Sequence, residues 1–175
     1  MPVTSPRSMP RLDALFSFPD PVNEVSARLV AAGVVAMAVG TLAFDARWFT
    51  AVIAYGFIAR LLTGPTLSPL GQLVTRVITP RLGVSPHPVP GPPKRFAQGI
   101  GAVGTIAAAF LALVVDRWDL AQVLLGLIAV FAFLEAALGF CVGCKIFSLL
   151  MRVGIIPASV CERCTDIWAG RRAPA

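Results

Sequence analysis

Two long apolar segments in the second half of the chain restrict its fold more than any other feature. The segment from Phe96 to Val115 has no charged residue, and the segment from Leu120 to about Cys144 is interrupted only by Glu135. A transmembrane helix needs roughly 20 mostly apolar residues. The 175 residues are 57% hydrophobic and 14% charged, more apolar than an ordinary soluble domain. The sequence therefore predicts an all-α integral membrane protein.

Two shorter apolar segments precede these. Leu29 to Phe44 is free of charge, and Trp48 to Leu62 contains Arg60 near its end. An arginine near a helix end can extend its side chain to the lipid headgroups, so both segments can still cross the membrane. We expect a bundle of four transmembrane helices in two hairpins. The alternative makes the first pair a shallow re-entrant hairpin.

The basic residues predict the orientation of these helices. The N-terminal segment, the long middle loop and the C-terminal tail, counted with Arg60 at the adjoining end of the second segment, hold thirteen of the fifteen Lys and Arg residues, and the two short loops hold only Arg47 and Arg117. Basic residues accumulate in cytoplasmic loops. The sequence thus predicts a multi-pass protein of the inner membrane with both termini in the cytoplasm. The net charge of +6 is explained by this topology, and no nucleic-acid partner is expected.

The chain divides into three predicted regions: a flexible N-terminal segment (1–22), a four-span domain (23–150) and a cytoplasmic tail (151–175). Within the middle loop, "SPLGQLVTRVITPRLG" has the apolar spacing of an amphipathic helix on the membrane surface. The proline-rich "VSPHPVPGPP" predicts a stiff extended connector in which His87 is solvated. The glycines of "GIGAVG", and Gly139 with Gly143, are interpreted as helix-packing surfaces.

All four cysteines lie near the end of the chain, in two Cys-x-x-Cys pairs: Cys141 with Cys144, and Cys161 with Cys164. On the cytoplasmic side a permanent structural disulfide is not expected. The sixteen residues between the pairs suit a four-thiolate zinc site, and each pair also suits a redox centre. The spacing does not decide between zinc and redox chemistry.

Local sequence suggests different roles for the two pairs. "SVCE", from Ser159, has the form of a capping box and predicts a short helix through Ile167 and Trp168. Its first turn would stabilise a thiolate at Cys161. If the last span continues through Cys144, the first pair lies at a C-terminal helix end, which disfavours a thiolate. Cys161 is then predicted to attack and Cys164 to resolve, while Cys141 and Cys144 exchange electrons or sulfur with them.

Glu135 is a carboxylate inside a predicted span, which makes it a candidate functional residue. We expect it to pair with Arg60 or Gln98 at a similar depth, either as a packing partner or as part of a proton relay. On a continuous helix Glu135 faces roughly opposite Cys144, since nine steps of about 100° give half a turn. The sequence therefore favours the packing interpretation.

Several stretches resemble a family of bacterial multi-span membrane proteins known as domain of unknown function 4395. They are "VNEVSARLVAAGV" (Val22 to Val34), "GPPKRFAQGIG" (Gly91 to Gly101) and "FLEAALGFCVGCKIF" (Phe133 to Phe147). The resemblance implies a Cys-x-x-Cys pair at a membrane edge, and an association with thioredoxin-like or sulfurtransferase proteins. Two functions follow as expectations: cytoplasmic thiol–disulfide or sulfur-relay chemistry, or a non-catalytic docking platform held by one zinc ion.

Overall fold

The computed structural model describes residues 18–161. These residues form seven α-helices, a π-helical turn, a 3₁₀ turn and two short strands. The elements in chain order are β1 (Val22–Asn23), α1 (Glu24–Ala43), α2 (Phe49–Thr63), α3 (Pro69–Leu73), the π-turn (Val74–Ile78), α4 (Thr79–Arg81), β2 (Pro88–Val89), α5 (Gly91–Leu113), α6 (Trp118–Leu138), α7 (Val142–Arg152) and the 3₁₀ turn (Ala158–Val160). Most of the predicted N-terminal segment lies outside the described residues.

Three helices are long and apolar enough to cross a membrane: α1, α5 and α6. Helix α2 is apolar but has only 15 residues, a length of about 22 Å at about 1.5 Å per residue. Large apolar side chains face outward along the long helices, among them Val103 on α5 and Val123 on α6. Such surfaces suit lipid rather than water. The prediction of a helical membrane protein is confirmed.

The helices pack mainly between the two halves of the chain: α1 lies against α6, α2 against α5, and α5 also against α6. Their common core is built from mostly small or medium apolar side chains, Val34, Ala38, Ile53, Phe57, Ala102 and Leu125. Small residues let helix backbones approach closely in lipid. Gly101 illustrates this, because a methyl group at that position would overlap the ring of Phe57. The packing interpretation of "GIGAVG" therefore holds at Gly101.

The middle loop folds back over the bundle. The predicted helix is confirmed as α3, the π-turn and α4, which follow one another without a break from Pro69 to Arg81. It starts where the hydroxyl of Ser68 accepts a hydrogen bond from the N–H of Gly71, at 3.2 Å. Val74 is buried, and Thr79 shares a hydrogen bond with Ser26 of α1. The middle-loop helix thus packs against α1.

The proline-rich stretch is extended only in part. Pro88 and Val89 form β2, which pairs antiparallel with β1 so that Val89 lies opposite Val22. The following Gly-Pro-Pro already belongs to the first turn of α5, since proline is well tolerated at the start of a helix. Helix α5 therefore begins five residues before the predicted span, and this moves Lys94 from the loop into the helix.

At the opposite end of the bundle the two short loops contact each other. The indole N–H of Trp118 donates to Asp45 Oδ1 at 2.9 Å. Arg47 Nη1 lies 2.6 Å from Asp116 Oδ1, with both side chains largely exposed. These bonds tie the α1–α2 loop to the α5–α6 loop. The two halves of the bundle are therefore held together at this end as well.

Candidate functional site

The cysteine site begins where α6 ends. Gly139 adopts a left-handed conformation with φ of 65°, and its N–H bonds to the carbonyl of Glu135. A left-handed glycine of this kind terminates a helix. The expected continuation of the last span through Cys144 is therefore wrong. The chain turns at Gly139 and Phe140, and a new helix, α7, starts at Val142.

Cys141 and Cys144 lie at the start of α7 rather than at the end of a helix. Cys141 is the N-cap residue, and its Sγ accepts a hydrogen bond from the N–H of Cys144 at 3.3 Å. The same two residues form a disulfide. The free N–H groups and dipole of a helix start stabilise negative charge on a thiol. The expectation that the helix dipole disfavours a thiolate at this pair is thus overturned.

Helix α7 is fixed by close contact with α5. A methyl group at Gly143 would lie 2.6 Å from Cβ of Ala97 and 2.7 Å from its Cα. The rings of Phe96 and Phe147 also pack together, with centroids 5.6 Å apart. Gly143 is therefore a packing residue as predicted, whereas its neighbour Gly139 ends a helix.

The second cysteine pair is described only at its first member. Cys161 is buried and follows the 3₁₀ turn Ala158–Val160, and it is not itself part of a helix. The prediction that Cys161 lies in the first turn of a helix is therefore wrong at that residue. Cys164 and the rest of the predicted helix lie outside the described residues. Within residues 18–161 there is no group of three or more His, Cys, Asp or Glu side chains placed to hold a metal ion.

Glu135 has a different partner from the predicted ones. Its Oε1 lies 2.5 Å from Nζ of Lys94, and both side chains are largely buried, at 17% and 13% exposure. The expected direct pairing of Glu135 with Arg60 or Gln98 is thus wrong. Lys94 is available because α5 starts at Gly91, which places the lysine on a helix that packs directly against α6. The prolines at the start of α5 are the sequence signal that could have located it.

Arg60 and Gln98 pair with each other instead. Arg60 Nε donates to Gln98 Oε1 at 3.1 Å, and Arg60 Nη1 donates to the Ser68 hydroxyl at 3.1 Å. Arg60 is only 4% exposed, and one of its partners, Ser68, is the residue before the middle-loop helix. The sequence suggested that this side chain extends to the lipid headgroups. In the structure it instead bonds to other side chains of the protein.

Residues at the start of α1 hold the end of α6 in place. Arg28 donates from Nε to the carbonyl of Ala136 and from Nη2 to the carbonyl of Ala137. Such bonds satisfy carbonyls that the last turn of a helix leaves free. Glu24 lies beside Gly139 and also contacts His87, whose Nδ1 is 3.0 Å from Glu24 Oε2. His87 contacts the bundle in this way, and its side chain stays 64% exposed, in agreement with the prediction that it is solvated.

One cavity is lined by both Glu135 and Cys141. It has a volume of about 170 Å³ and is bordered by α1, α5, α6 and the start of α7. The described residues of its wall are apolar except for Gln98, Glu135 and Cys141. Glu135 and Gln98 also line a second cavity of about 200 Å³, together with Arg60 and Lys94. The Glu135 side chain therefore stands between the cysteine site and the buried basic residues.

Comparison with known proteins agrees with the sequence resemblance. The family model described as "Domain of unknown function (DUF4395)" matches residues 22–152. The matched region starts at β1 and ends with α7, so it includes the Cys141–Cys144 pair and stops before Cys161. No curated protein and no solved structure matches the chain.

Proposed function

Because the chain belongs to the family described as a domain of unknown function, DUF4395, we propose its function from its own cysteine site. We propose that it is a four-span protein of the bacterial inner membrane that exchanges disulfides with a soluble protein on the cytoplasmic side. Cys141 and Cys144 form the working pair in this proposal. This reverses the roles expected from the sequence, which gave the attack to Cys161.

The single observation that carries the proposal is the position of the Cys141–Cys144 disulfide in the first turn of α7. A thiolate released there is stabilised by the helix start and by the N–H of Cys144. A thiolate that is easily formed is a good leaving group, and this makes its disulfide exchange rapidly. Disulfides in the cytoplasm are usually transient and catalytic or redox-sensing. A cytoplasmic location would therefore favour redox use of this pair.

Differences in exposure suggest a role for each sulfur. Cys141 is buried at 7% exposure, whereas Cys144 is partly exposed. A partner thiolate would attack Cys144 Sγ, the Cys141–Cys144 bond would break, and Cys141 would leave as the thiolate. The partner's second thiol would then attack its own sulfur in the mixed disulfide and release Cys144. The partner dithiol is oxidised to a disulfide, and the pair is reduced to two thiols.

A thioredoxin-like protein is the partner class we propose, because the family resemblance implies such an association and the chemistry requires a dithiol. Lys145 is exposed directly beside Cys144, so an acidic surface around the partner's cysteines would be complementary to it. A sulfurtransferase, the other class that the resemblance implies, would instead leave a persulfide on the accessible cysteine.

Trapping the mixed disulfide tests these roles. Full-length protein carrying Cys141→Ser should form a stable mixed disulfide with a thioredoxin-like probe, because Cys144 remains accessible and its partner Cys141 is removed. The matched variant Cys144→Ser should trap far less, since Cys141 is buried. Cys161→Ser should exchange like the unchanged protein. Stronger trapping by Cys144→Ser, or loss of exchange in Cys161→Ser, contradicts the assignment.

The four-cysteine zinc site is tested on the same preparation. Zinc content and free thiols of the purified protein would be measured together before and after a chelator is added. One zinc ion per chain, with all four thiols protected and released together, would support the docking platform and overturn the redox proposal. Zinc-free protein in which Cys141 and Cys144 cycle between thiol and disulfide supports exchange.

A further inference from the structure

From the cavity between α6 and α7 we infer that Glu135 is the proton donor and acceptor for Cys141. This inference rests on the proposed function, because a proton needs to move only if the Cys141–Cys144 bond opens and closes. It gives the intramembrane carboxylate a chemical task beyond pairing with Lys94. It also favours the proton relay over the packing interpretation of Glu135.

The composition of the cavity wall supports this inference. Among the twenty described residues that line the cavity of about 170 Å³, Glu135 carries the one carboxylate and Cys141 the one sulfur. A water molecule occupies roughly 30 Å³ in the liquid, so a few water molecules can bridge the two groups. Gln98 supplies an amide beside them. A proton that leaves Cys141 into this cavity can therefore reach the Glu135 carboxylate.

Burial explains why Cys141 needs such a group. Because Cys141 is buried on the cavity side, its thiol exchanges protons with bulk solvent less readily than the more exposed Cys144. General acid–base groups act through positions within hydrogen-bond reach or through one water molecule. The break at Gly139 turns the chain so that Cys141 and Glu135 border the same cavity. On a continuous helix they would lie on different faces.

Charged groups from three other helices surround Glu135. Lys94 of α5 binds it directly, and Arg60 of α2 acts on it electrostatically. From α1, Arg28 bonds to the carbonyls that follow Glu135, and Glu24 lies beside Gly139. Lys94 therefore fixes the position of a carboxylate that also borders the cavity.

In the closing step the Cys141 thiol passes its proton to the Glu135 carboxylate, directly or through water. The Cys141 sulfur attacks Cys144 Sγ of the mixed disulfide, a new S–S bond forms, and the partner leaves as a thiolate. In the opening step the partner thiolate attacks Cys144, and the Cys141 thiolate takes the proton back from Glu135. Each step moves one proton between the same two groups.

An aromatic disulfide that releases a coloured thiolate gives a direct test in full-length protein with Cys161→Ser and Cys164→Ser. The reduced protein receives a limiting amount of this reagent. A first release reports the modification of Cys144, and a second reports ring closure by Cys141. Glu135→Gln should leave the first release unchanged and slow the second by at least about tenfold near neutral pH, as expected for loss of a general base.

The direction of the change separates proton transfer from electrostatics. If Glu135 acted only through its negative charge, Glu135→Gln would favour the Cys141 thiolate and speed closure. Unchanged or faster closure therefore overturns the inference. Glu135→Asp, which keeps a carboxylate, should restore part of the rate. Asp119→Asn, which removes a carboxylate at the far end of α6, should have no effect.

Two further controls separate this inference from folding and from the proposed function. Because Glu135→Gln leaves Lys94 unpaired, the double variant Glu135→Gln/Lys94→Met removes both charges and should fold better. Slow closure in the double variant supports the inference, and normal closure overturns it. If protein with an intact Glu135 shows only the first release, Cys141 and Cys144 do not exchange, and the proposed function itself fails.

Discussion

Removing one member of the Glu135–Lys94 pair should destabilise the protein more than removing both. The nitrogen and oxygen lie 2.5 Å apart, and the side chains are 13% and 17% exposed. Breaking a fully buried pair costs about 3 to 5 kcal/mol of the free energy of unfolding. Because this pair keeps some exposure, we expect about 2 kcal/mol for Glu135→Gln and a similar cost for Lys94→Met. The double variant should cost about 1 kcal/mol.

The assay is unfolding of the purified protein in mixed micelles, followed by tryptophan fluorescence. The three free-energy differences give a coupling energy, which we expect to be about 3 kcal/mol. The Arg47–Asp116 pair is the matched control, because its atoms lie at 2.6 Å but its side chains are 47% and 83% exposed. Exposed pairs couple by at most about 1 kcal/mol. Equal coupling in the two pairs would refute the view that burial makes the Glu135 pair strong.

Three other predictions follow from topology and packing. Reporter fusions at Ala175 and near Pro86 should both show a cytoplasmic location. Periplasmic activity at either site would contradict the predicted orientation, and with it the argument that a cytoplasmic disulfide indicates redox chemistry. Gly143→Ala should lower the thermal stability of the protein in detergent, because the new methyl group would meet the backbone of Ala97. The control is Gly126→Ala, which has open space around it and should be neutral or stabilising by up to about 1 kcal/mol. Ser68→Ala should destabilise by about 1 to 2 kcal/mol in the same unfolding assay, since the hydroxyl both caps α3 and accepts from Arg60.

The helical membrane fold could be predicted because long apolar segments have few alternatives. Hydropathy alone located α1, α5 and α6 to within several residues. Helix α2 is less well determined, since its 15 residues are short for a span. The helix ends were the weak part, because hydropathy does not change across Gly139 and Phe140. The glycine that stops α6 was interpreted as a packing residue, and the cysteines were consequently assigned to the wrong end of a helix.

The candidate site was predicted in its residues but not in its pairing. The sequence identified Cys141, Glu135 and Arg60 from residue type and depth alone. Partners depend on which helices are neighbours, and a single sequence does not show that α5 lies between α2 and α6. Lys94 was missed for a second reason, since proline and glycine around it suggested a loop. The same proline pattern is also compatible with the first turn of a helix.

The burial of Arg60 has a consequence for the order in which the protein is made. Ribosomes deliver the α1–α2 hairpin to the membrane before α5 exists, yet Arg60 on α2 bonds to Gln98 on α5. Helix α2 also packs chiefly on α5 rather than on α1. For some time during synthesis the arginine therefore lacks one of its hydrogen-bond acceptors, while Ser68, eight residues later, emerges first. The hydrogen bonds of Arg60 are therefore completed only after α5 has been made.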